Sequence, residues 1–229
     1  MTLTVAVFGA TGAQGAPVVT EALAKGLTVH AVARDADKIA EMHPDAKPFA
    51  ADLSDQAALA AALEGVDAAF FHLPMPSGSD DIPGWMGAFM GAANHVELPH
   101  LVYTTSGAAG ARYPSSAILD AATQGLELVL ASGIPTVALK PAVYLENLLP
   151  PFFLPRMRSE GVVDYPPLPA EMQAQWTSHV DQALIAVAAL QRPDLAGQCF
   201  DIGSPGALTG AELAAALGPW GGRDLRLEP

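Results

Sequence analysis

Val5-Ala6-Val7-Phe8-Gly9-Ala10-Thr11-Gly12-Ala13-Gln14-Gly15-Ala16-Pro17 is the stretch that decides the fold of this chain. The apolar run from Leu3 to Phe8 predicts a buried strand, and three glycines at Gly-x-x-Gly-x-x-Gly spacing separate it from a helical pattern. In such a connection Gly9 permits a tight turn, Gly12 lets the backbone approach a pyrophosphate, and Gly15 lets helix and strand pack closely. The N–H groups of the first helical turn and the helix dipole then face the anion.

The same glycine turn is also compatible with a tight strand-to-helix connection that binds no ligand, since a lone glycine motif is weak evidence. Its position at the N-terminus, inside a full strand–helix–strand pattern, favours a dinucleotide site. Pro17 suits the first helical turn, where no backbone N–H is needed. The turn therefore predicts six cofactor-binding residues: Gly9, Thr11, Gly12, Ala13, Gln14 and Gly15.

Composition restricts the class of protein. With 229 residues, 51% of them hydrophobic, the chain can bury the core of one domain, or of one domain with a small appendage. A formal net charge of -13 with 11 Lys and Arg argues against a nucleic-acid partner. No apolar run approaches the ~20 residues that span a bilayer, so we expect no membrane partner. Because Met1 leads directly into the first strand, we expect no cleaved leader.

The only cysteine, Cys199, excludes an internal disulfide and fits a reducing cytoplasm. Because Cys199 lies in an apolar stretch, we expect a small buried side chain rather than a nucleophile. Three histidines, His95, His100 and His179, lack the spacing and carboxylate partners of a metal cluster. We therefore expect no metal site.

Strands and helices alternate through the first 140 residues. The predicted strands are Leu3–Phe8, Thr28–Ala33, Lys47–Ala51, Ala68–Leu73, a fifth that begins at Leu101, and Thr136–Leu139. The predicted helices include Ala16–Lys25, Trp85–His95 and Ser116–Ser132. This alternation predicts an α/β fold with a doubly wound parallel sheet of the Rossmann type. Ligands bind outside the carboxyl ends of such strands, where six residues fall: Gly9, Arg34, Asp52, Leu73, Ser106 and Pro141.

The residue after the second strand bears on cofactor choice. An acidic residue there accepts the ribose hydroxyls of NAD, whereas an arginine accommodates the 2′-phosphate of NADP. Arg34, followed one turn later by Lys38, therefore predicts that NADP is preferred. The alternative is that Arg34 is a solvated loop residue and that Asp35 or Asp37 caps the next helix. Asp52 either hydrogen-bonds adenine or satisfies N–H groups of its own turn.

The pattern changes after residue 149. Residues Pro150 to Pro169 are proline-rich and predict irregular chain on the substrate side. A helix from Val180 to Leu190 and a strand from Gln198 to Ile202 follow. Thr209-Gly210-Ala211-Glu212 predicts a capping box that opens a helix ending near Gly218. We therefore predict a Rossmann core in residues 1–149 and a smaller substrate-side portion in 150–229, in which the segment near 198–218 returns to the core.

Several of these segments together resemble the NmrA-like family of the atypical short-chain dehydrogenase/reductase superfamily. They are Gly9–Gly15, Arg34, Asp52-Leu53, Ser132–Thr136, Pro141–Leu148 and Leu208–Leu213. The resemblance implies NADP(H) binding in a one-and-a-half-domain structure whose C-terminal portion closes over the nicotinamide. The cofactor contacts that it implies outside the glycine turn are Arg34, Lys38, Asp52, Leu53, Leu73, Pro74, Pro141 and Val143.

The chain departs from this family in its acid/base residues. Short-chain dehydrogenases usually use a Tyr-x-x-x-Lys pair, in which lysine lowers the pKa of the tyrosine. Here Tyr113 is followed four residues later by Ala117, and Ala122 stands where many NmrA-like proteins have lysine or histidine. We therefore expect no tyrosine–lysine pair. The family also continues into further helices beyond the segment at Gly222–Arg226.

Hydride transfer to an activated acceptor such as a quinone needs little more than positioning, because the cofactor carries the chemistry. We predict Tyr144, Asn147 and Trp176 as substrate-pocket residues, with Trp85 and Phe152 as walls. An aromatic residue of this kind is more often part of the plain core than a ligand contact, and that alternative holds for each of them.

Ser106 and Tyr144 are the candidate catalytic residues. Ser106 either orients the substrate, as the corresponding serine of short-chain dehydrogenases does, or is a turn hydroxyl that bonds its own backbone. Lys140 is either a cation near the nicotinamide or a charge that ends a strand. We expect His72 to be a packed residue at a strand end.

Three function classes remain. The first is a cytoplasmic NADPH-dependent oxidoreductase that acts on a small molecule and is compatible with a homodimer. The second is a redox-sensing regulator that binds NAD(P) and acts through a protein partner, favoured by the missing lysine and by regulatory members of the family. The third is an epimerase or lyase that uses its cofactor transiently. Fold alone does not choose among them.

Overall fold

A computed structural model describes residues 2–75, 81–110, 116–149, 153–165 and 171–228. The strands are β1 (Thr4–Phe8), β2 (Thr28–Ala33), β3 (Lys47–Ala50), β4 (Ala68–Phe71), β5 (Leu101–Thr104), β6 (Thr136–Pro141), β7 (Val143–Tyr144), β8 (Val162–Val163), β9 (Trp176–Thr177), β10 (Cys199–Ile202) and β11 (Arg226–Leu227). The helices are α1 (Gly15–Ala24), α2 (Ala36–Met42), α3 (Gln56–Leu63), α4 (Ile82–His95), α5 (Ala117–Ala131), α6 (Leu154–Glu160), α7 (His179–Leu190) and α8 (Gly210–Gly221).

Seven strands form one sheet in the order β10-β6-β5-β4-β1-β2-β3. The strand β1 lies between β2 and β4, and it pairs parallel with both. The N–H groups of Ala138 and Ala142 donate to the carbonyls of Gln198 and Ile202, so β10 runs parallel to β6. The predicted doubly wound parallel sheet is confirmed. Strand order reverses between β1 and β4, which is the point where such sheets bind ligands.

The central strands are buried on both faces. Continuous apolar strands are typical of a parallel sheet that helices cover on both sides. Every residue of β4 and β5 is buried. Phe71 stacks on Phe89 of α4 with ring centroids 3.6 Å apart, and both rings meet Phe8 edge-on at 5.6 and 5.2 Å. Aromatic pairs of this kind add about 0.5–1.5 kcal/mol beyond the area that they bury. The end of β1 is therefore anchored in the core.

Four of the helices in the described ranges, α2, α3, α4 and α8, begin at a side-chain cap. Asp35 accepts from the Lys38 N–H at 3.0 Å, so the capping role considered for Asp35 is confirmed. Asp55 and Asp81 cap α3 and α4 in the same way. The capping box predicted at Thr209 is also confirmed, because its side chain accepts from the Glu212 N–H and the Glu212 carboxylate accepts from the Thr209 N–H.

Two compact units make up the chain. Unit 1 contains residues 1–141 and 179–201, and unit 2 contains residues 142–178 and 202–229. Unit 2 has its own apolar cluster, which includes Leu148, Met157, Trp176 and Leu213. The division predicted at residue 150 stays a prediction about where the substrate side begins.

Two expectations about the C-terminal part are wrong. Residues predicted to be irregular contain the helix α6, because Pro155 lies in the first turn, where its missing N–H is tolerated. Gly161, with φ +72°, then ends α6. The helix α8 continues past Gly218 to Gly221, and it ends where Gly222 adopts φ +67°.

The expected burial of Cys199 is also wrong. Cys199 is a free, exposed cysteine at the start of β10. The strand β10 lies at one edge of the sheet, and its residues alternate so that Cys199 and Asp201 are exposed while Ile202 is buried. An edge strand with one solvated face gives this period of two despite an apolar sequence.

Candidate functional site

The glycine turn connects β1 to α1 through two short hydrogen bonds. Gly9 has φ +69°, a conformation that side chains disfavour. The Gly12 N–H donates to the Gly9 carbonyl at 2.8 Å, and the Ala16 N–H donates to the Gly12 carbonyl at 3.0 Å. The backbone therefore enters α1 within a few residues of leaving the sheet.

A methyl group at each glycine would meet a different obstacle. At Gly15 a Cβ would lie 2.5 Å from the Gly9 carbonyl carbon and 2.7 Å from the Phe8 oxygen, so the close packing predicted there is confirmed. At Gly9 it would lie 2.5 Å from the His72 Nε2. At Gly12, which is exposed, it would meet only the Gly9 oxygen, at 3.2 Å. Gly12 thus presents its open side to solvent.

Two histidines, His43 and His72, contact the glycine turn, and no periodicity in the sequence predicts either contact. His43, buried at the end of α2, donates from Nε2 to the Ala10 carbonyl at 3.0 Å. His72 lies beside Gly9, with Nδ1 3.2 Å from the Leu73 carbonyl, so Nδ1 carries the proton. Burial lowers the pKa of His72 to about 4, which keeps the ring neutral. Its Nε2 is a buried acceptor with no partner among the residues described.

Ser106 lies beside the same turn. Its φ is +58°, and holding a residue other than glycine in this region costs about 1–3 kcal/mol. Its hydroxyl donates to the Gln14 Oε1 at 3.2 Å, and its N–H donates to the Thr104 hydroxyl at 3.2 Å. The hydroxyl therefore bonds a distant side chain rather than its own backbone. A catalytic role for Ser106 stays a prediction.

The carboxyl ends of β2 and β3 carry the residues predicted to contact the adenosine side. Arg34 and Lys38 are exposed, and neither forms an ion pair with a residue that the structure describes. Asp52 accepts from the Ser54 hydroxyl at 2.6 Å and from the Ser54 N–H at 2.9 Å, and these bonds lower the pKa of Asp52, with a smaller contribution from the Arg34 charge. The turn role considered for Asp52 is thus present. Leu53 follows it, half-buried.

The remaining predicted cofactor contacts follow β4 and β6. Leu73 is half-buried and Pro74 exposed just after β4, and Pro141 is the buried last residue of β6. Lys140, considered as a cation for the nicotinamide, forms an ion pair with Asp201 at 3.2 Å. Its charge is therefore already compensated by a carboxylate.

The predicted substrate residues lie in unit 2. Val143 and Tyr144 form β7, which pairs with Trp176 of β9, and Tyr144 and Trp176 are buried. The Asn147 Nδ2 donates to the Tyr165 hydroxyl at 3.0 Å. The Trp176 Nε1 is buried with no partner among the described residues.

Of the remaining candidates for a pocket wall or an acid/base residue, the structure describes only some. Trp85 is half-buried in α4. Phe152 and Tyr113 lie outside the residues that the structure describes. His100 has a packing role, because its ring nitrogens lie 3.2 and 3.0 Å from the carbonyl oxygens of Pro135 and Ala189.

The described ranges contain neither a metal-ligand cluster nor a membrane-spanning helix. No group of three His, Cys, Asp or Glu residues within them is arranged to hold a metal ion. No helix within them combines the length and apolar character needed to cross a bilayer.

Comparison with known proteins adds the family. The NmrA-like family model matches residues 1–228. This chain belongs to the NmrA-like family. Over 224 residues it is 34% identical to an NAD(P)H azoreductase of Xenophilus azovorans, covering 96% of this chain and 74% of that protein. Over 222 residues it is 30% identical to (4-alkanoyl-5-oxo-2,5-dihydrofuran-3-yl)methyl phosphate reductase of Streptomyces griseus, covering 97% and 75% of the two chains.

A solved structure of similar fold is an NADPH-dependent quinone oxidoreductase of Escherichia coli complexed with NADPH. It superposes with a TM-score of 0.78 at 22% identity, covering 99% of this chain and 78% of that one. At this identity the likeness supports the fold of the NmrA-like chain.

Proposed function

We propose that the chain is an NADPH-dependent oxidoreductase that transfers hydride to a small activated acceptor such as a quinone. The observation that carries the proposal is the glycine turn, where Gly15 packs against backbone while Gly12 keeps an exposed, side-chain-free surface at the start of α1. Such a surface accommodates a pyrophosphate on helix N–H groups. The names of both curated relatives, an azoreductase and a furan-derivative reductase, support the class of reaction.

The residues present fit a nicotinamide dinucleotide. The backbone from Gly9 to Gly15 would hold the pyrophosphate, since no side chain caps α1 and its first turn contains no acidic residue. Arg34 and Lys38 would hold the 2′-phosphate, and the Asp52–Leu53 turn would lie against adenine. The segment Leu73-Pro74, together with Pro141 and Val143, would contact the nicotinamide side. The bound cofactor supplies the hydride.

The class of acceptor is inferred from the missing tyrosine–lysine pair. No lysine lies between Arg112 and Leu139, so no Tyr-x-x-x-Lys pair is available to protonate a simple ketone. A quinone or another activated acceptor needs less proton assistance, and its reduction depends on orientation against the nicotinamide. We assign that orientation to Tyr144, Asn147 and Trp176.

A screen of NADPH oxidation tests the proposed function. Purified protein is mixed with NADPH and, in separate reactions, with quinones, azo dyes, enones, aldehydes and simple ketones, and absorbance at the nicotinamide band is followed. We expect turnover with quinones or azo dyes and none with simple ketones. Tight NADP(H) binding without turnover of any acceptor, together with protease sensitivity that differs between NADP⁺ and NADPH, would instead favour the redox-sensing regulator.

Arg34→Ala should weaken NADPH binding about tenfold or more and leave NADH binding nearly unchanged. A charge-assisted hydrogen bond to the 2′-phosphate contributes about 1.5–3 kcal/mol, and Arg34 is exposed without an ion-pair partner among the described residues. Isothermal titration of both cofactors measures the two dissociation constants. Arg192→Ala is the matched control, because Arg192 is an exposed arginine paired with Asp194. Equal losses for NADPH and NADH would contradict the role of Arg34.

Asn147→Ala should lower kcat/KM for the acceptor about tenfold and leave the dissociation constant of NADPH unchanged. A typical hydrogen bond contributes about 0.5–1.5 kcal/mol, and Asn147 donates one to the hydroxyl of the half-buried Tyr165 at 3.0 Å. Tyr144→Ala should act in the same direction. Steady-state kinetics with varied acceptor measures the change.

Two controls accompany these variants. Gln175→Ala changes an exposed amide of the same unit and should be neutral. Tyr113→Phe should keep activity, because no lysine lies four residues on. Unchanged kcat/KM in both Asn147→Ala and Tyr144→Ala would remove this segment from the acceptor site.

A further inference from the structure

Side chains from three distant segments of unit 1 close a ring of hydrogen bonds beside the glycine turn. The Ser106 N–H donates to the Thr104 Oγ1 at 3.2 Å, and the Thr104 hydroxyl donates to the Gln182 Oε1 at 3.0 Å. The Gln182 Nε2 donates to the Gln14 Oε1 at 3.4 Å, and the Ser106 hydroxyl donates to the same oxygen at 3.2 Å. The ring thus joins the start of α1, the end of β5 and the first turn of α7.

The direction of each bond in the ring follows from its neighbours. Because Thr104 Oγ1 accepts from a backbone N–H, its own hydrogen is available for the Gln182 Oε1. That bond turns the Gln182 amide so that its N–H faces Gln14. Thr104 is 1% exposed and Gln182 is fully buried, so water does not compete for these bonds. The Gln14 carbonyl oxygen consequently receives two donors, which matches its two lone pairs.

The position of the Gln14 side-chain oxygen affects the N–H groups of α1, because Gln14 directly precedes that helix. At α2, α3, α4 and α8 a side-chain oxygen at the equivalent position accepts from first-turn N–H groups. At α1 the Gln14 side chain makes no such cap. A capping oxygen would compete with a pyrophosphate for the same N–H groups. The ring keeps the Gln14 Oε1 bonded to Ser106 and Gln182 instead of to the first-turn N–H groups of α1.

We propose that Gln182 is a positioning residue for dinucleotide binding, which acts by holding the Gln14 carbonyl oxygen away from the first turn of α1. The inference rests on the proposed function, since it concerns the same dinucleotide site. The backbone of Gln14 belongs to that site, and its side chain is the part that the ring restrains. Ser106 has the same positioning task through its hydroxyl.

Removing the Gln182 side-chain amide, which donates to the Gln14 Oε1, should release the Gln14 side chain. Gln182→Leu keeps a similar volume and loses the hydrogen bonds to Thr104 and Gln14, so we expect NADPH and NADH to bind about tenfold more weakly. Adding Gln14→Ala to Gln182→Leu removes the competing oxygen, and affinity should return to within about threefold of the wild type. A merely structural role for Gln182 predicts the opposite, since a second substitution would add to the loss rather than reverse it.

The experiment measures both dissociation constants by isothermal titration, with thermal unfolding of each variant as the check on folding. Gln191→Leu is the control, because Gln191 is an exposed glutamine that bonds the Val187 carbonyl beside the same helix, and it should change neither constant. Ser106→Ala removes one donor from Gln14 without opening the core. It should weaken binding about threefold, again with recovery in the Gln14→Ala background, and it tests the inference if Gln182→Leu does not fold.

Three outcomes overturn the inference. Wild-type affinity in Gln182→Leu, or in Ser106→Ala where that variant replaces it, shows that the ring does not affect the site. A double variant that binds no better than its single parent shows that Gln14 is not the competing group. Failure of the wild type to bind any nicotinamide dinucleotide overturns the proposed function as well, and so is distinguishable from the first two.

Discussion

Gly12→Val is expected to raise the dissociation constants of NADPH and NADH at least a hundredfold while the protein stays folded. Gly12 is exposed, and its φ is not in the left-handed region. The nearest atom to an added Cβ is the Gly9 oxygen, at 3.2 Å, so the branched side chain would project into the space that a pyrophosphate needs. A hundredfold loss corresponds to about 2.7 kcal/mol, roughly one excluded set of phosphate hydrogen bonds.

Isothermal titration and urea denaturation together test whether binding is lost in a folded protein. Gly206→Val is the control, because Gly206 lies in unit 2 and no atom lies within 4 Å of an added Cβ there. Gly12→Ala should give a smaller loss than Gly12→Val, since one methyl group projects less far. Full affinity in Gly12→Val would mean that the glycine turn is only structural, and the proposed cofactor site would fail with it.

The features that the sequence predicted best are those that depend on residues close together in the chain, namely the strands, the helices and the glycine turn. The second strand, Thr28–Ala33, has the bounds that its apolar run indicated. The other elements of the fold were predictable because each strand and helix has its own apolar periodicity and its own terminating residue. Gly26, with φ +76°, is such a residue at the end of α1. The glycine turn belongs to this class, because its spacing lies within seven residues.

What the sequence did not predict depends on residues far apart in the chain. Gln14 and Gln182 are 168 positions apart, and no periodicity marks a pair of glutamines as partners. His43 likewise meets the Ala10 carbonyl from 33 positions further along the chain. The burial of Cys199 was predicted wrongly because an apolar run does not reveal that its strand lies at the edge of the sheet.

Unit 2 was harder to predict for a different reason. Its strands β7, β8, β9 and β11 are two residues long, which is too short for an alternating pattern to appear. The prolines that predicted irregular chain around Pro155 are compatible with a helix that begins at them. Its ion pairs add order that composition does not show: Arg156 bonds Asp164 at 2.6 Å and Glu228 at 3.0 Å.

Gly15→Ala should destabilise the protein by about 1–3 kcal/mol, the usual cost of overpacking a filled interior. Its Cβ would lie 2.5 Å from the Gly9 carbonyl carbon and 2.7 Å from the Phe8 oxygen, and backbone atoms cannot move aside as a flexible side chain can. Intrinsic helix propensity acts in the opposite direction, because alanine is favoured over glycine inside a helix by about 1 kcal/mol. We expect the collision to exceed that gain, since both obstacles are backbone atoms at or directly after the anchored end of β1.

The comparison with Gly87→Ala isolates the collision from propensity. Gly87 lies within α4, is exposed, and has no atom within 4 Å of an added Cβ, so only propensity acts there. Gly87→Ala should therefore stabilise the protein by about 0.4–1 kcal/mol. Calorimetry should show melting temperatures that move in opposite directions, at roughly 2–4 °C per kcal/mol for a chain of this size. A rise in both variants would mean that α1 does not approach β1 as closely as the glycine turn requires.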